Sequence, residues 1–165
     1  MGWTHTGASR PDFAETPGPG QESVWDYPRP PRLEPDEREV VIRFEGVEIA
    51  RTRGALRMLE TSHPPTFYLP PGDVDPKRLR AAGGGSRCEW KGSAAYWDVI
   101  GPTRELRRAA WSYPEPFDYR ELAGYLAFYA TVLECFVGGE RVRPQPGGFY
   151  GGWITPELVG PFKGA

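Results

Sequence analysis

The sequence has few cysteines, little net charge and no long hydrophobic run. Its 165 residues include only two cysteines and no Cys-x-x-Cys pair, which is unlike a disulfide-dense secreted scaffold. The formal net charge is −2 and no long basic block occurs, which argues against non-specific binding to nucleic acid. No segment approaches the roughly 18 consecutive apolar residues that a membrane-spanning helix needs. No secretory signal is visible, so a cytoplasmic location is expected.

Glycine (21 residues) and proline (19) are abundant, whereas apolar residues make up only 39%. This balance is typical of a small core surrounded by turns and tails, and the length corresponds to about one domain. The composition predicts a flexible arm over residues 1–22, a single β-rich domain over 23–143 and a glycine- and proline-rich tail over 144–165.

Alternation of apolar and polar residues predicts strands in the first half of the domain. Residues 39–45 alternate cleanly, Gly46 turns the chain and 47–51 alternates again, which predicts a hairpin. The apolar residues at 55–59 lie close together and predict one or two helical turns. A short strand is expected at 66–69.

Turn signals divide the second half of the domain. The pair Asp75–Pro76 predicts a short helix over 75–82 that ends at the glycines 83–85. Two central strands are expected at about 86–100 and 104–113. Because strands outnumber helices, we expect a mainly β fold with antiparallel sheets packed as a small sandwich or tent-like barrel, and one or two short helices.

The most reactive side chains are concentrated between residues 86 and 113. They comprise a thiol, an ammonium, a carboxylate, two phenols and three indoles, from Cys88, Lys91, Asp98, Tyr96, Tyr113, Trp90, Trp97 and Trp111. A thiol becomes nucleophilic when a nearby cation lowers its pKa, and Lys91 follows Cys88 by three residues. The alternative is that Cys88 is a buried apolar residue and Lys91 a solvated one.

The aromatic residues of these strands also have two interpretations. They can fill a small core, or they can line a pocket whose tyrosine hydroxyls orient an aromatic or anionic ligand. RNA binding by stacking would require more basic residues among the rings.

The sequence motifs for phosphate binding and for metal binding are each incomplete in this chain. The glycines 83–85 are not followed by the Lys-Ser/Thr of a P-loop. Gly92-Ser93 and Asp98 resemble a fragment of the polymerase-β-type nucleotidyltransferase signature, but the second aspartate that would share its metal ions is missing. A structural zinc site needs four ligands. The chain offers Cys88, Cys135 and His63, with no Cys-x-x-Cys pair, and its fourth candidate, His5, lies on the predicted flexible arm. No metal and no cofactor is assigned.

An ordered series of motifs carries a resemblance to a known family. The motifs are the run from Val47 to Val74, then Arg87-Cys-Glu-Trp-Lys-Gly-Ser-Ala-Ala-Tyr-Trp, Ala109-Ala-Trp-Ser-Tyr-Pro-Glu-Pro and Ala127-Phe-Tyr. Together they cover about residues 40–143 and resemble the bacterial domain-of-unknown-function 427 family, which is catalogued as nucleotidyltransferase-like. The flanking segments resemble a longer actinobacterial-type branch that continues a little further, so Ala165 is expected to be a trimmed end. The resemblance implies a compact, mostly β domain.

The resemblance also selects candidate site residues. Positions that match the family motifs are Thr52, Arg53, Glu60, Pro65, Tyr68, Cys88, Lys91, Gly92, Tyr96, Trp111, Tyr113 and Tyr129. The catalytic candidates are Lys91, Glu60 and Cys88. The ligand-binding candidates are Arg53, Tyr68, Tyr96, Trp111 and Tyr113. We expect Glu60, Tyr68, Lys91, Tyr96 and Trp111 to share one pocket, in which Arg53 or Lys91 meets an anionic group.

Three functions follow as expectations, and whether the protein is an enzyme stays open. The first is a pocket for a compact anionic or aromatic metabolite, with Lys91 as cation or Schiff-base amine and Glu60 as acid, base or orienting group. The second is a non-catalytic binding or adaptor module, in which Trp25 and Trp153 dock on a partner or on a second copy to give a homodimer. The third is nucleotidyltransferase-like nucleotide binding. No nucleic-acid or membrane partner is expected.

Overall fold

The computed structural model describes residues 4–88, 92–116, 118–148 and 150–164. Strands dominate this part of the chain, and its helical segments are 3-10 turns of three residues, so the predicted mainly β fold is confirmed. The strands are β1 (Glu22–Ser23), β2 (Arg32–Asp36), β3 (Val40–Phe44), β4 (Val47–Thr52), β5 (Ala55–Leu59), β6 (Thr66–Tyr68), β7 (Leu79–Cys88), β8 (Gly92–Ile100), β9 (Glu105–Ser112), β10 (Leu126–Phe128), β11 (Glu134–Val137), β12 (Glu140–Arg141), β13 (Arg143–Pro144), β14 (Trp153–Ile154) and β15 (Leu158–Val159). The 3-10 turns are Val24–Asp26, Pro71–Asp73, Pro76–Arg78 and Arg120–Leu122.

The predicted hairpin around Gly46 is formed by β3 and β4. Phe44 pairs with Val47, and both intervening residues, Glu45 and Gly46, have positive φ angles of 50° and 78°. A tight two-residue hairpin turn requires this conformation because it matches the twist of the flanking strands. β11 and β12 extend the pair into a four-stranded antiparallel sheet in the order β12-β11-β3-β4.

Two further antiparallel sheets are joined by backbone hydrogen bonds between Leu69 and Leu126. One has the order β10-β9-β8-β7 and the other the order β2-β5-β6. Leu69, next to β6, and Leu126, in β10, exchange backbone hydrogen bonds of 2.7 and 2.8 Å. These bonds bring residues of β5 and β6 beside those of β9 and β10. In the part of the chain that the structure describes, the sheets stay open and do not close into a barrel.

The hydrophobic core lies between the β3 sheet and the β9 sheet. It includes Ile42 of β3, Val99 of β8 and Phe128 of β10, none of which is measurably exposed. Burying such a side chain contributes about 1.5–3 kcal/mol. Because side chains alternate along a strand, the opposite face of β8 to β10 belongs to a second cluster, described below.

Residues 55–59 form β5, so the predicted helical turns are wrong. β5 pairs with β2 on one side and with β6 on the other. Ala55, Met58 and Leu59 are all buried, because this strand has apolar neighbours on both faces. A strand buried on both faces lacks the polar–apolar alternation that identifies most strands.

The predicted helix over 75–82 is also wrong. Only the 3-10 turn Pro76–Arg78 forms, with the Asp75 carboxylate accepting a hydrogen bond from the Lys77 backbone N–H at 3.0 Å. The chain then enters β7, and the glycines 83–85 lie inside this strand, where its register with β8 shifts. The predicted strand over 86–100 is divided between β7 and β8, which pair at Cys88 and Gly92.

The two ends of the described chain meet beside the domain. β1 pairs in parallel with β15 through Glu22 and Leu158. The backbone N–H of Glu15 donates to the Gly160 carbonyl oxygen at 2.8 Å. These contacts bring the N-terminal arm and the C-terminal tail together.

Candidate functional site

One face of the paired sheets carries a cluster of aromatic side chains, which we call the aromatic face. Its buried members are Met58, Tyr68, Ala94, Trp111, Tyr113, Leu122 and Ala127. Around them lie half-buried residues, namely Leu33, Leu56, Tyr96, Tyr119, Tyr125 and Tyr129. Six tyrosines and one tryptophan therefore occupy a single surface, with a buried floor and an accessible margin.

The rings of the floor are in direct contact. The ring centres of Trp111 and Tyr129 are 4.5 Å apart, and Tyr68 lies 6.4 Å from both Trp111 and Tyr113. Aromatic pairs at such separations contribute about 0.5–1.5 kcal/mol each beyond area burial. Ring contacts therefore hold the floor together.

Strand pairing and the C-terminal tail surround the Trp111 residue. Trp111 pairs with Tyr96 of β8 on one side and with Ala127 of β10 on the other. Gly151 approaches from the C-terminal tail so closely that a Cβ atom there would overlap the indole ring. The tail therefore fixes the position of the indole.

A β-bulge places a cation at the margin of the aromatic face. The register of β8 and β9 shifts between Trp97 and Val99, and Arg108 adopts a φ of 51°. The buried Asp98 carboxylate accepts a hydrogen bond from the Arg108 backbone N–H at 2.9 Å. The Arg108 guanidinium then lies 4.1 Å from the centre of the Tyr96 ring. Bulges and positive φ at a non-glycine residue are often found beside functional sites.

The structure brings together four of the residues proposed from the sequence: Tyr68, Tyr96, Trp111 and Tyr113 all belong to the aromatic face. Glu60 is instead paired with Arg29, with 3.6 Å between its Oε2 and the arginine Nε. The Arg53 side chain is 72% exposed, and its ion-pair partner is Glu39.

Two catalytic candidates fall outside the described structure. Lys91 lies outside the described residues, and Cys88 is described only as the backbone partner of Gly92. Sequence reasoning missed Arg108, Tyr119 and Tyr125. The two tyrosines follow the last central strand predicted from the sequence, and nothing in the strand pattern signalled the bulge at Arg108.

The phenol of Tyr129 is protonated at neutral pH. Burial raises its pKa, and the neighbouring Tyr96 phenol raises it further, against an opposing effect from Arg108. A protonated phenol can donate a hydrogen bond to an anionic group. The aromatic face therefore combines flat apolar surfaces, hydroxyl donors and a guanidinium.

Asp98, which was considered as a metal ligand, and the neighbouring pair Asp73 and Asp75 of an Asp-x-Asp sequence have other partners. Asp98 holds the bulge and lies 3.5 Å from the Arg80 guanidinium. Asp73 accepts a hydrogen bond from the Thr52 hydroxyl at 2.6 Å, and Asp75 caps a turn. In the described ranges, no three His, Cys, Asp or Glu side chains are grouped so that they could hold a metal ion.

Residues 32–139 match the sequence profile of a family described as a domain of unknown function, DUF427. The chain belongs to the DUF427 family. A comparison with curated proteins gave no match. Among the described residues, no helix is long and apolar enough to cross a membrane.

The matched segment contains every residue of the aromatic face, together with Arg108 and Asp98. The C-terminal tail, which lies outside the match, packs against the matched segment. Trp153 is 1% exposed, its ring stacks on Phe67 at 5.0 Å, and its indole N–H donates to the Phe128 carbonyl oxygen at 3.0 Å. Trp25 likewise donates to the carbonyl oxygen of Pro161. Both tryptophans considered for docking on a partner thus contact the rest of their own chain.

Proposed function

We propose that this DUF427 protein binds a compact, flat molecule that carries an anionic group, and that the aromatic face is its binding site. The position of Arg108 is the observation that supports the proposal. Its guanidinium lies over Tyr96 at the margin of the aromatic floor, and the bulge beside Asp98 fixes its backbone.

The chemistry of these groups defines the ligand. The half-buried rings of Tyr96, Tyr125 and Tyr129 offer surfaces on which a flat apolar group can stack. A guanidinium forms two parallel hydrogen bonds with a carboxylate or phosphate. Small-molecule sites usually combine mostly apolar walls with a few polar groups of this kind.

Chemical change of the bound molecule is a further part of the proposal. Lys91 and Cys88 are the residues proposed to act on it, with Lys91 as a second cation or reactive amine. Glu60, first considered as an acid or base, is paired with Arg29 and has no part in this proposal. Arg108 then takes the anion-binding role first considered for Arg53, whose side chain is mostly in solvent.

Native mass spectrometry of the gently purified full-length protein tests the proposal. We expect a mass excess that is lost on denaturation, and the released molecule should be a flat anion. The excess should be absent from the Arg108→Gln variant. Arg107→Gln is the matched control, because Arg107 is an exposed neighbour on the same strand.

The outcomes separate the proposal from its alternatives. A wild-type protein with the bare monomer mass, to which no flat carboxylate or phosphate binds on titration, would contradict it. Equal retention by the Arg108 and Arg107 variants would place the ligand elsewhere. A bare dimer would favour the adaptor module instead.

A further inference from the structure

A second concave surface lies where the chain ends meet, and we call it the terminal groove. It has a volume of about 580 Å³. It is lined by Thr4, His5, Trp25, Arg29, Thr61, Ser62, Pro161, Phe162, Lys163 and Gly164. None of these residues belongs to the aromatic face.

Basic side chains dominate the charge of the terminal groove. Arg29, Lys163 and His5 line it, and no carboxylate is among its lining residues. The nearest acidic partner of Arg29 is Glu60, at 3.6 Å between Nε and Oε2, which is longer than a hydrogen bond. Glu60 offsets the charge of Arg29, and Lys163 adds a positive charge that no carboxylate among the lining residues balances.

The Arg29 guanidinium retains unused donor capacity. Its side chain is 20% exposed, and one terminal nitrogen donates to the Thr61 carbonyl oxygen at 3.0 Å. Its Nε is buried and makes no hydrogen bond with any residue that the structure describes. A buried donor without an acceptor is unfavourable. The buried Nε lies next to Glu60, and an anion in the groove would supply acceptors to the terminal nitrogens of this guanidinium.

The walls of the terminal groove include two aromatic rings, Trp25 and Phe162. The Trp25 indole is held in place because its N–H donates to the Pro161 carbonyl oxygen at 2.9 Å. His5 and Phe13 pack edge-on against the same indole, with ring centres 5.3 and 4.9 Å away. The groove thus has a fixed flat wall beside its cations.

A strained residue joins the segments that form the groove. Ser62 has a φ of 75°, which is uncommon for a residue other than glycine. Its N–H donates to the Val24 carbonyl oxygen at 3.0 Å, and its own carbonyl accepts from the Lys163 N–H at 2.8 Å. Strain of this kind persists only where surrounding contacts hold it. Ser62 therefore holds Lys163 and the Trp25 segment on opposite sides of one turn.

We propose that the terminal groove is a second binding site, for an oxyanion attached to a flat organic group. Arg29 and Lys163 bind the carboxylate or phosphate, and Trp25 and Phe162 contact the flat group. Arginine suits the planar geometry of such oxyanions, and lysine adds a point charge. The site is independent of the aromatic face and of the function proposed for it.

Nuclear magnetic resonance of the full-length protein tests the site. The signal of the Trp25 indole N–H, assigned with a Trp25→Phe variant, is followed during titration at constant ionic strength. The titrants are phenyl phosphate, benzoate and the uncharged benzyl alcohol. We expect one or both anions to shift the signal saturably, and benzyl alcohol to do so far more weakly. The tighter of the two anions identifies the oxyanion class.

Variants link the shift to the proposed residues. Arg29→Gln and Lys163→Gln should each weaken binding about tenfold or more. Arg143→Gln and Lys77→Gln, which change exposed basic residues elsewhere, should leave it unchanged. Because the Lys163 side chain is exposed, its variant is informative even where Arg29→Gln does not fold.

Three outcomes overturn the proposal. They are the absence of a saturable shift with either anion, an equal response to benzyl alcohol, and unchanged affinity in folded Arg29 and Lys163 variants. Arg108→Gln distinguishes the two sites. It should abolish retention at the aromatic face and leave the Trp25 titration unaltered.

Discussion

The Asp98 carboxylate accepts a hydrogen bond from the Arg108 backbone N–H across the bulge of β8 and β9, at 2.9 Å. This bond fixes the backbone of a non-glycine residue with a φ of 51°. Loss of the acceptor leaves the N–H without its partner and removes the support of the bulge.

Asp98→Ala should therefore destabilise the protein by about 1–3 kcal/mol. Urea unfolding followed by fluorescence measures the change. Asp118→Ala, at an exposed aspartate, should stay within about 0.5 kcal/mol of wild type. The variant should also lose the ligand retained through Arg108. Unchanged stability together with unchanged retention would show that Asp98 does not support the bulge.

Gly151→Ala tests the contact between the tail and the aromatic floor. The added methyl group would overlap the Trp111 indole, so one of the two must move. Overpacking of this kind costs about 1–3 kcal/mol. The free energy of unfolding and the near-ultraviolet circular dichroism of the indole should both change. Gly72→Ala, where no atom lies within 4 Å of the new methyl group, is the control that should leave the dichroism as it is.

Acid should loosen the contact between β2 and the C-terminal tail. Burial acts to raise the pKa of Asp36, but hydrogen bonds from Arg38 outweigh it, and the pKa is lowered in the fold. The pKa of Glu157, which also receives a hydrogen bond from Arg38, is lowered in the same way. The guanidinium of Arg57 lies 3.6 Å from Asp36 and acts in the same direction.

A carboxylate whose pKa is lower in the folded than in the unfolded state contributes stability above its unfolded pKa, and this contribution is lost as pH falls through the folded value. We therefore expect the free energy of unfolding to decrease below about pH 4.5. Arg38→Gln should make that decrease shallower. Urea titrations between pH 7 and pH 3 measure both slopes, and parallel slopes would refute the role of Arg38.

Cys135 should resist thiol reagents in the folded protein. It is 1% exposed and is a free thiol, and burial raises its pKa strongly. Thiolates, not thiols, are the reactive form. In a Cys88→Ser variant, where Cys135 is the remaining thiol, dithionitrobenzoate should react only after urea is added. Rapid reaction in native buffer would indicate that this part of the core opens.

ATP with magnesium should not raise the melting temperature beyond the sum of either component alone. Two-metal phosphate chemistry needs clustered carboxylates, and Asp98 and Asp73 are instead engaged with Arg108 and Thr52. A larger increase in melting temperature for the combination, lost in Asp98→Asn, would instead support nucleotidyltransferase-like nucleotide binding.

Local patterns predicted the parts of the fold that depend on neighbouring residues. The turn at Gly46 and the short strand of Phe67 and Tyr68 follow from alternation and turn chemistry. The strand at residues 55–59 was not predicted, because it is fixed by pairing with β2 and β6, which the local pattern does not show. The same limit applies to the glycines 83–85, which lie in a strand because β8 pairs with it.

The candidate sites likewise combine features that local patterns predict with features that depend on contacts formed in the fold. Aromatic residues of the central strands were predicted to line a pocket, and Tyr96 and Trp111 do share one surface. Arg108 reaches that surface through a bulge that exists only once β8 and β9 pair. The terminal groove depends on contacts such as that of Trp25 with Pro161, which are 136 positions apart. No local pattern encodes such a contact.

The stacking of Trp153 on Phe67 has a consequence for where this domain can be cut. A chain ended at residue 139 would keep the whole segment that matches the family profile. It would nevertheless lose the indole that covers Phe67 and that donates to the Phe128 carbonyl. Such a truncation removes the side chain that covers one face of Phe67. We therefore expect a chain that ends after β14 to be more stable than one that ends at residue 139.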